Sequence, residues 1–316
     1  MATKRATKPA ATKGTSATTP SRGAAAPRGA APSAPKKEPI PSAGGPARAL
    51  LEAIWADPQD RDALRVYADH LLEQGNSRGE YIQLSVLENP TAAQSTRAST
   101  LEKKDRGAWL GTARPYVRTW SLSSATPGFV DHAWCEADKL IDGFDELVAL
   151  GPRLVLSVTS MRKKRRETEA RMAKLPLHEI HDLDLSGNAL DDKSITTLAP
   201  ALAGIRALHV SENPITGEGI AALGAVVHTL EYLQVGTAVS VRDAERTAAV
   251  EGIARAIATT PGFRSLRYVH FFRTGPVSPE AARMLHALPS LKRLSTSGYT
   301  EWGGLEPERW NEPSDV

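Results

Sequence analysis

Residues 180–190 read Ile-His-Asp-Leu-Asp-Leu-Ser-Gly-Asn-Ala-Leu, and residues 205–215 read Ile-Arg-Ala-Leu-His-Val-Ser-Glu-Asn-Pro-Ile, so one pattern recurs after 25 residues. The spacing of the apolar residues predicts a short buried strand, and the Asn side chain satisfies backbone groups where the chain turns away from it. Weaker copies begin at Leu230, Leu266 and Leu291. Because one such unit cannot bury its apolar side alone, the units are expected to stack into a solenoid with an open concave surface.

The predicted strands alternate with predicted helices. Asp191 or Asp192 begins one helix and Thr216 begins the next, since short polar side chains cap helix N-termini. Strand, turn and helix at this spacing resemble the leucine-rich repeat family, near the ribonuclease-inhibitor-like end of its length range. The resemblance implies an α/β fold over residues 128–316, with degenerate first and last units. The degenerate first unit is predicted to begin near Leu154.

Residues 47–127 are predicted to form a small α-helical domain. Asp60 caps a helix with an apolar stripe, and Gly75 ends it. A polar loop is predicted from Thr91 to Thr100, followed by a fourth helix that contains Trp109.

A family resemblance lies within this segment. Residues 67–82 read Tyr-Ala-Asp-His-Leu-Leu-Glu-Gln-Gly-Asn-Ser-Arg-Gly-Glu-Tyr-Ile. They resemble the bacterial repeat-companion domain, which typically reads Tyr-Ala-Asp-Trp-Leu-Glu-Glu-Arg-Gly-Asp and then Pro-Arg-Gly-Glu-Phe-Ile. His70 replaces the usual Trp, and Asn76 and Ser77 replace Asp and Pro. The resemblance spans about Ala47 to Val158 and implies a bacterial protein in which this domain precedes leucine-rich repeats, without an established catalytic activity.

The N-terminal segment, residues 1–46, consists almost entirely of Ala, Thr, Lys, Pro, Ser, Gly and Arg. It offers too little apolar surface to offset chain entropy, so we expect a disordered basic tail. Eight of the 39 basic residues of the chain precede the first acidic residue, Glu38, which leaves 31 basic against 36 acidic residues in the remainder. The tail is interpreted either as a charged spacer or as a segment that binds nucleic acid phosphates through Lys4, Arg5, Lys8 and Lys13.

A partner-binding surface is predicted on the strands of the repeats. Side chains alternate along a strand, so the polar residues between the apolar ones face the concave surface. Tyr and Arg are also favoured in protein-binding hot spots. The candidate partner-binding residues are Asp182, Asp184, His209, Tyr232, Gln234, Tyr268, His270, Phe272 and Arg293. Along the chain, from the first complete unit to the last, this surface is expected to change from acidic to aromatic to basic. The sequence does not identify the bound protein.

A dense basic run supports an alternative function. The basic run consists of five consecutive residues between the degenerate first unit and the unit that begins at Ile180: Arg162, Lys163, Lys164, Arg165 and Arg166. They form either a nucleic-acid patch, together with the tail, or a solvated outer face offset by Glu167 and Glu169.

Several functional classes have no support in the sequence. There is no Walker loop, HExxH, GxSxG or CxxC pattern, so we expect neither an enzyme nor a cofactor. His178, His181, Asp182 and Asp184 lack metal-ligand spacing. Cys135 is the single cysteine and is expected to be buried. Without a disulfide, a leader or a membrane-spanning run, a cytoplasmic protein is expected. The oligomeric state is left open.

The predicted tail can be tested by limited proteolysis. Because residues 1–46 lack apolar anchors, we expect a protease to remove them first and to leave a stable fragment that begins near Ala47. Mass spectrometry of the digest identifies the fragment. Strong protection of the tail amides in hydrogen exchange would contradict the prediction.

Overall fold

The structure is a computed structural model that describes residues 46–151, 153–162, 164–236, 243–274 and 277–295, with the side chains of 46–48 and 243–246 left out of the description. The N-terminal tail up to residue 45 and the end of the predicted last repeat, residues 296–316, lie outside the described residues. The described part belongs to one compact unit.

Four α-helices come first in the described chain. They are α1 Pro46–Ala56, α2 Arg61–Glu73, α3 Ser77–Ser85 and α4 Ala92–Asp105. The Asp60 carboxylate accepts the backbone N–H groups of Asp62 and Ala63, which confirms the predicted cap.

The prediction of a loop at 91–100 is wrong. Thr91 and Gln94 form a reciprocal capping box and begin α4 there. Trp109 lies in a 3-10 turn, Ala108–Ala113, rather than in a fourth α-helix. Only Leu101 of α4 is buried, so this helix lacks the apolar periodicity on which the prediction relied.

A separate apolar cluster holds the helical segment together. Its buried members are Leu51, Ile54, Leu64, Tyr67, Ala68, Leu71, Ile82, Val86 and Phe129. Arg78 is also buried: its guanidinium lies 4.5 Å from the centre of the Phe129 ring, and its Nε donates to the Gly128 carbonyl at 2.8 Å. The helices are thereby joined to the chain that enters the sheet.

The sheet has eight strands in chain order. They are β1 Thr119–Leu122, β2 Val130–Glu136, β3 Val155–Thr159, β4 Asp182–Asp184, β5 Ala207–His209, β6 Tyr232–Val235, β7 Tyr268–Phe271 and β8 Arg293–Ser295. β1 pairs antiparallel with β2, and every later pair is parallel. The strands β1 and β2 were not predicted. The predicted boundary between the helical domain and the repeats, at 127/128, falls in the connection between these two strands. The fold is mixed α/β.

Helices follow the strands along the chain. They are α5 Ala137–Asp142, α6 Phe144–Val148, α7 Arg165–Met172, α8 Asp192–Leu198, α9 Gly217–Gly224, α10 Asp243–Thr259 and α11 Pro279–His286, with further 3-10 turns at Leu177–Glu179, Ala199–Leu202 and Pro261–Ser265. Asp191 caps α8, while Asp192 accepts the backbone N–H and the hydroxyl of Thr216 at the start of the next helix. On one face of the sheet, Leu156, Leu183, Leu208, Leu233 and Val269 are buried in the main core.

The two pattern asparagines form a ladder between neighbouring units. Asn213 Oδ1 accepts the backbone N–H groups of Asn188 and Leu190 at 2.9 and 3.0 Å, and its Nδ2 donates to three carbonyls. Asn188 repeats this one unit earlier, where its Oδ1 accepts from Met161 N at 3.2 Å. Both asparagines are buried, so the ladder satisfies backbone groups that water cannot reach.

In four units, the residue just before the position that Asn188 and Asn213 occupy in theirs (the ladder position) has a left-handed backbone conformation. It is Ser160, Gly187, Glu212 or Arg273, with φ of 66°, 69°, 56° and 54°. Each lies four residues after the buried apolar residue of its own strand, which is Leu156, Leu183, Leu208 or Val269. The turn geometry is therefore shared even where the side chain is not Gly, and Thr274 occupies the ladder position of the last of these units.

Replacing either ladder Asn tests this arrangement. We expect Asn188→Ala and Asn213→Ala each to lower the free energy of unfolding by about 1–3 kcal/mol, because buried N–H and C=O groups lose their partners. Urea denaturation measures the change. Asn89→Ala, at an exposed position, is the matched control and should leave stability nearly unchanged. Equal effects at buried and exposed sites would contradict the ladder's role.

Candidate functional site

The parallel register aligns the predicted partner-binding residues in rows. Asp182, Ala207, Tyr232, Tyr268 and Arg293 form one row across β4 to β8. Asp184, His209, Gln234, His270 and Ser295 form the next. Phe272 follows β7 at the next alternate position. These residues alternate with the buried apolar ones, so they share the opposite side of the sheet, which we call the polar face.

The acidic end of the polar face is buried, which corrects the expectation of an open acidic surface. Asp182 and Asp184 are only 1% and 6% exposed. Asp184 accepts the Ser157 hydroxyl at 3.0 Å and the Ser186 backbone N–H at 2.8 Å. Asp182 Oδ1 forms an ion pair with His209 Nε2 across 2.9 Å. Neither carboxylate is therefore open to a partner.

His209 supplies the charge that compensates Asp182. Burial alone lowers the pKa of His209, but the Asp182 and Asp184 carboxylates outweigh it and raise that pKa to about 9. The imidazole ring lies 5.0 Å from the Tyr232 ring. Burial and the same two carboxylates raise the pKa of Tyr232. At neutral pH, His209 is therefore positively charged and Tyr232 keeps its proton.

A chain of hydrogen bonds crosses the polar face from β4 to β7. The Ser186 and Ser211 hydroxyls lie 2.9 Å apart, Gln234 Nε2 donates to Ser211 Oγ at 3.0 Å, and His270 Nδ1 lies 3.1 Å from Gln234 Oε1. His270 is buried. These contacts orient side chains that the sequence left unconnected, so His270 supports the face from within and the half-buried Gln234 is held by Ser211 and His270.

The exposed part of the polar face is aromatic and basic. Tyr232 and Tyr268 are direct neighbours in the register, and both are half-buried, as is Phe272. The Arg273 guanidinium lies 5.0 Å from the centre of the Phe272 ring. Arg293 is exposed and forms no ion pair with the residues described here. We call Tyr232, Tyr268, Phe272 and Arg293 the aromatic–arginine patch.

Sequence reasoning missed the other end of the polar face. His132 and Trp134 on β2 stack with their ring centres 3.6 Å apart, and His132 Nε2 lies 2.9 Å from Ser157 Oγ. Burial lowers the pKa of His132. The small apolar residues Ala133 and Cys135, at alternate positions within the segment 130–136, were the signal available for this strand.

Neighbouring side chains already neutralise much of the predicted basic run. Arg165 and Arg166 both pair with the buried Glu169 and with Asp191, the N-cap of α8. Arg165 also donates to the Ala189 carbonyl. Burial raises the pKa of Asp191, but hydrogen bonds from Ser194 and Arg166 outweigh burial and lower that pKa. This part of the run joins α7 to the start of α8.

The remaining members of the run differ in their contacts. Arg162 donates to the Gly187 carbonyl at 3.1 Å, and Lys164 lies 3.8 Å from Glu167. Lys163 lies outside the described residues, as do Lys4, Arg5, Lys8 and Lys13 of the tail.

The described residues contain no group of three or more His, Cys, Asp or Glu side chains that could hold a metal ion. The Ser157 hydroxyl lies between the His132 ring and the Asp184 carboxylate. In a hydrolytic triad the imidazole lies in the middle, so these three side chains are not in the order of a triad. Cys135 is buried, as predicted, and burial raises its pKa to about 12. No helix in the described ranges is long and apolar enough to cross a membrane.

Comparison with known families supports the repeat. The Leucine Rich repeat family matches residues 205–224, which carry β5, the Asn213 turn and α9. Comparison with curated proteins finds no match. Leucine-rich repeats commonly mediate protein–protein interactions, so the matched segment is of a type that binds proteins.

The His209–Asp182 pair predicts a pH dependence of stability. The folded pKa of about 9 lies above the usual value of about 6.5, so the pair's contribution is complete below pH 6.5 and is lost as pH rises through 9. Between pH 7.5 and 9.5 we expect a loss of about 2 kcal/mol in the free energy of unfolding. Urea denaturation across this range measures it. His209→Gln should remove the decline, and a parallel decline in that variant would exclude His209 as its source.

Proposed function

We propose that this chain is a non-enzymatic protein-interaction scaffold whose repeats form a solenoid and bind a protein partner on the concave, polar face. The repeat match and the ladder between Asn188 and Asn213 support stacked units. The aromatic–arginine patch supports the choice of surface, because Tyr and Arg dominate binding hot spots.

One observation carries this choice: half-buried aromatic rings stand side by side on a face that is already internally hydrogen-bonded. Tyr232 and Tyr268 lie in register, and the network through Gln234 and His270 holds the strands behind them. A preorganised patch loses little conformational entropy when it binds. The partner is therefore expected to place apolar groups on the rings and an acidic group near Arg293.

The alternative, nucleic-acid binding through the tail and the 162–166 run, receives less support. Arg165 and Arg166 are bound to Glu169 and Asp191, and releasing them would leave a buried carboxylate unpaired. The tail residues lie outside the described part of the chain. We keep the tail as a charged spacer in this proposal.

Three further elements of the proposal rest on sequence. The helical segment α1–α4 is interpreted as a bacterial repeat-companion domain, on the residues 67–82 that resemble it. The protein is placed in the cytoplasm on its single cysteine. No cofactor is invoked.

The proposal can be tested with variants of the patch. Tyr232→Ala combined with Tyr268→Ala should weaken binding of an isolated partner by at least about 30-fold, since one hot-spot residue contributes about 2 kcal/mol or more. The partner is obtained by cross-linking and mass spectrometry after nuclease treatment, and its affinity is measured by calorimetry.

Two further variants keep the test decisive. Tyr232 contacts His209, so the double variant can lose stability; Arg293→Glu changes only an exposed side chain and should also weaken binding. Val66→Ala with Leu72→Ala removes exposed apolar surface from α2 and serves as the matched control. Equal binding by the patch variants and the control would refute the polar face as the binding surface.

A further inference from the structure

A second basic region lies in the helical segment and was not singled out by the sequence. Between Thr91 and Leu122 the chain has six basic and two acidic residues, although it is acidic overall after residue 37. One of the six, Arg97, is held by Glu80. The other five are all exposed, and we call them the Trp120 cluster: Lys103, Lys104, Arg106, Arg114 and Arg118.

Trp120 organises the arginines of this cluster. The Cζ atoms of Arg106 and Arg114 lie 5.1 and 5.4 Å from the centre of its indole ring, within cation–π distance. Trp120 itself packs against the main core. Arg118 precedes Trp120 by two residues, and its backbone N–H donates to the Trp134 carbonyl, so it continues the ladder of β1 and points to the same side as Trp120. Two guanidinium groups therefore lie against one half-buried ring, and Arg118 lies two residues before that ring on the same side of the strand.

The charge of the cluster is largely uncompensated. Among the described residues, Glu102 is the one carboxylate that pairs with it, at 4.0 Å from Arg106. Lys103, Lys104, Arg114 and Arg118 have no ion pair within the described ranges. This differs from Arg165 and Arg166, whose charges are already bound. Like charges as close together as those of Arg106 and Arg114 repel, so an anion bound between them is favoured.

We propose that the Trp120 cluster binds the phosphate backbone of double-stranded nucleic acid. Guanidinium forks match phosphate oxygens in geometry. Arginines already occupy the surroundings of the Trp120 ring, which disfavours the base stacking used by single-strand binders. The cluster is thus suited to backbone contacts without base recognition.

The rest of the chain favours an extended polyanion over the other occupants. Residues 1–37 carry eight basic and no acidic residues, so the tail has the same sign of charge as the cluster and does not complement it. Both regions attract the same repeating phosphates. The four exposed large apolar side chains in the described ranges, Val66, Leu72, Leu87 and Val226, all lie outside α4, the 3-10 turn and β1, so the cluster offers none for insertion into a membrane.

A salt titration tests this proposal with the full chain. Binding to a fluorescein-labelled DNA duplex of about 20 base pairs is measured by anisotropy between about 50 and 200 mM salt. We expect the triple variant Arg106→Gln, Arg114→Gln, Arg118→Gln to bind at least about tenfold more weakly at low salt. The slope of log Kobs against log salt should fall by about two to three.

Matched variants separate this site from the net charge. Arg255→Gln, Arg264→Gln and Arg283→Gln remove three exposed arginines elsewhere and should keep both affinity and slope. Lys103→Gln, Lys104→Gln and Arg118→Gln avoid the two arginines stacked on Trp120 and should reproduce the loss without disturbing the ring. Equal losses in the cluster and control triples would overturn the proposal. So would Arg-dependent binding of polyglutamate without binding of DNA, which would assign the cluster to an acidic protein.

Discussion

The asparagine ladder is the constraint on which the centre of the described sheet, from β3 to β5, depends. Each Asn side chain bonds to its own turn and to the unit before it, so neighbouring units are held in one register. A shift by one residue would orphan buried N–H and C=O groups and reverse the faces of the strand. Because the register is held in this way, Asp182 lies within reach of His209 on the neighbouring strand. Further along the sheet, strand pairing between β6 and β7 places Tyr232 beside Tyr268.

The polar face divides into a part that stabilises the sheet and a part, the aromatic–arginine patch, that we propose as the binding surface. The buried Asp182 and Asp184 and the half-buried His209 compensate one another, and the serines, Gln234 and His270 complete the network. Removing water from charges is costly unless they are paired, so these residues serve the fold. Among the described residues of this face, the aromatic–arginine patch groups partly exposed Tyr and Arg side chains, which are typical of a hot spot.

Ion pairs also distinguish the two basic regions. The 162–166 run looks like the stronger nucleic-acid signal because its charges are consecutive, yet Glu169 and Asp191 are bound to it. The residues of the Trp120 cluster are scattered over 16 positions and are left mostly unpaired. A scaffold that holds a protein on its polar face and nucleic acid at the Trp120 cluster would bring the two together.

The sequence by itself determined the repeat, because the strand, the Asn turn and the helix cap are local patterns with a fixed spacing. It also predicted which residues share the polar face, since side chains alternate along a strand. Burial and pairing between distant residues were decided only by the tertiary structure. The His209–Asp182 and Arg165–Glu169 pairs, the strands β1 and β2, and the meeting of Arg106, Arg114 and Trp120 depend on how separate segments pack. Local periodicity carries no information about such contacts, because the energy that favours them appears only when water is excluded between the elements.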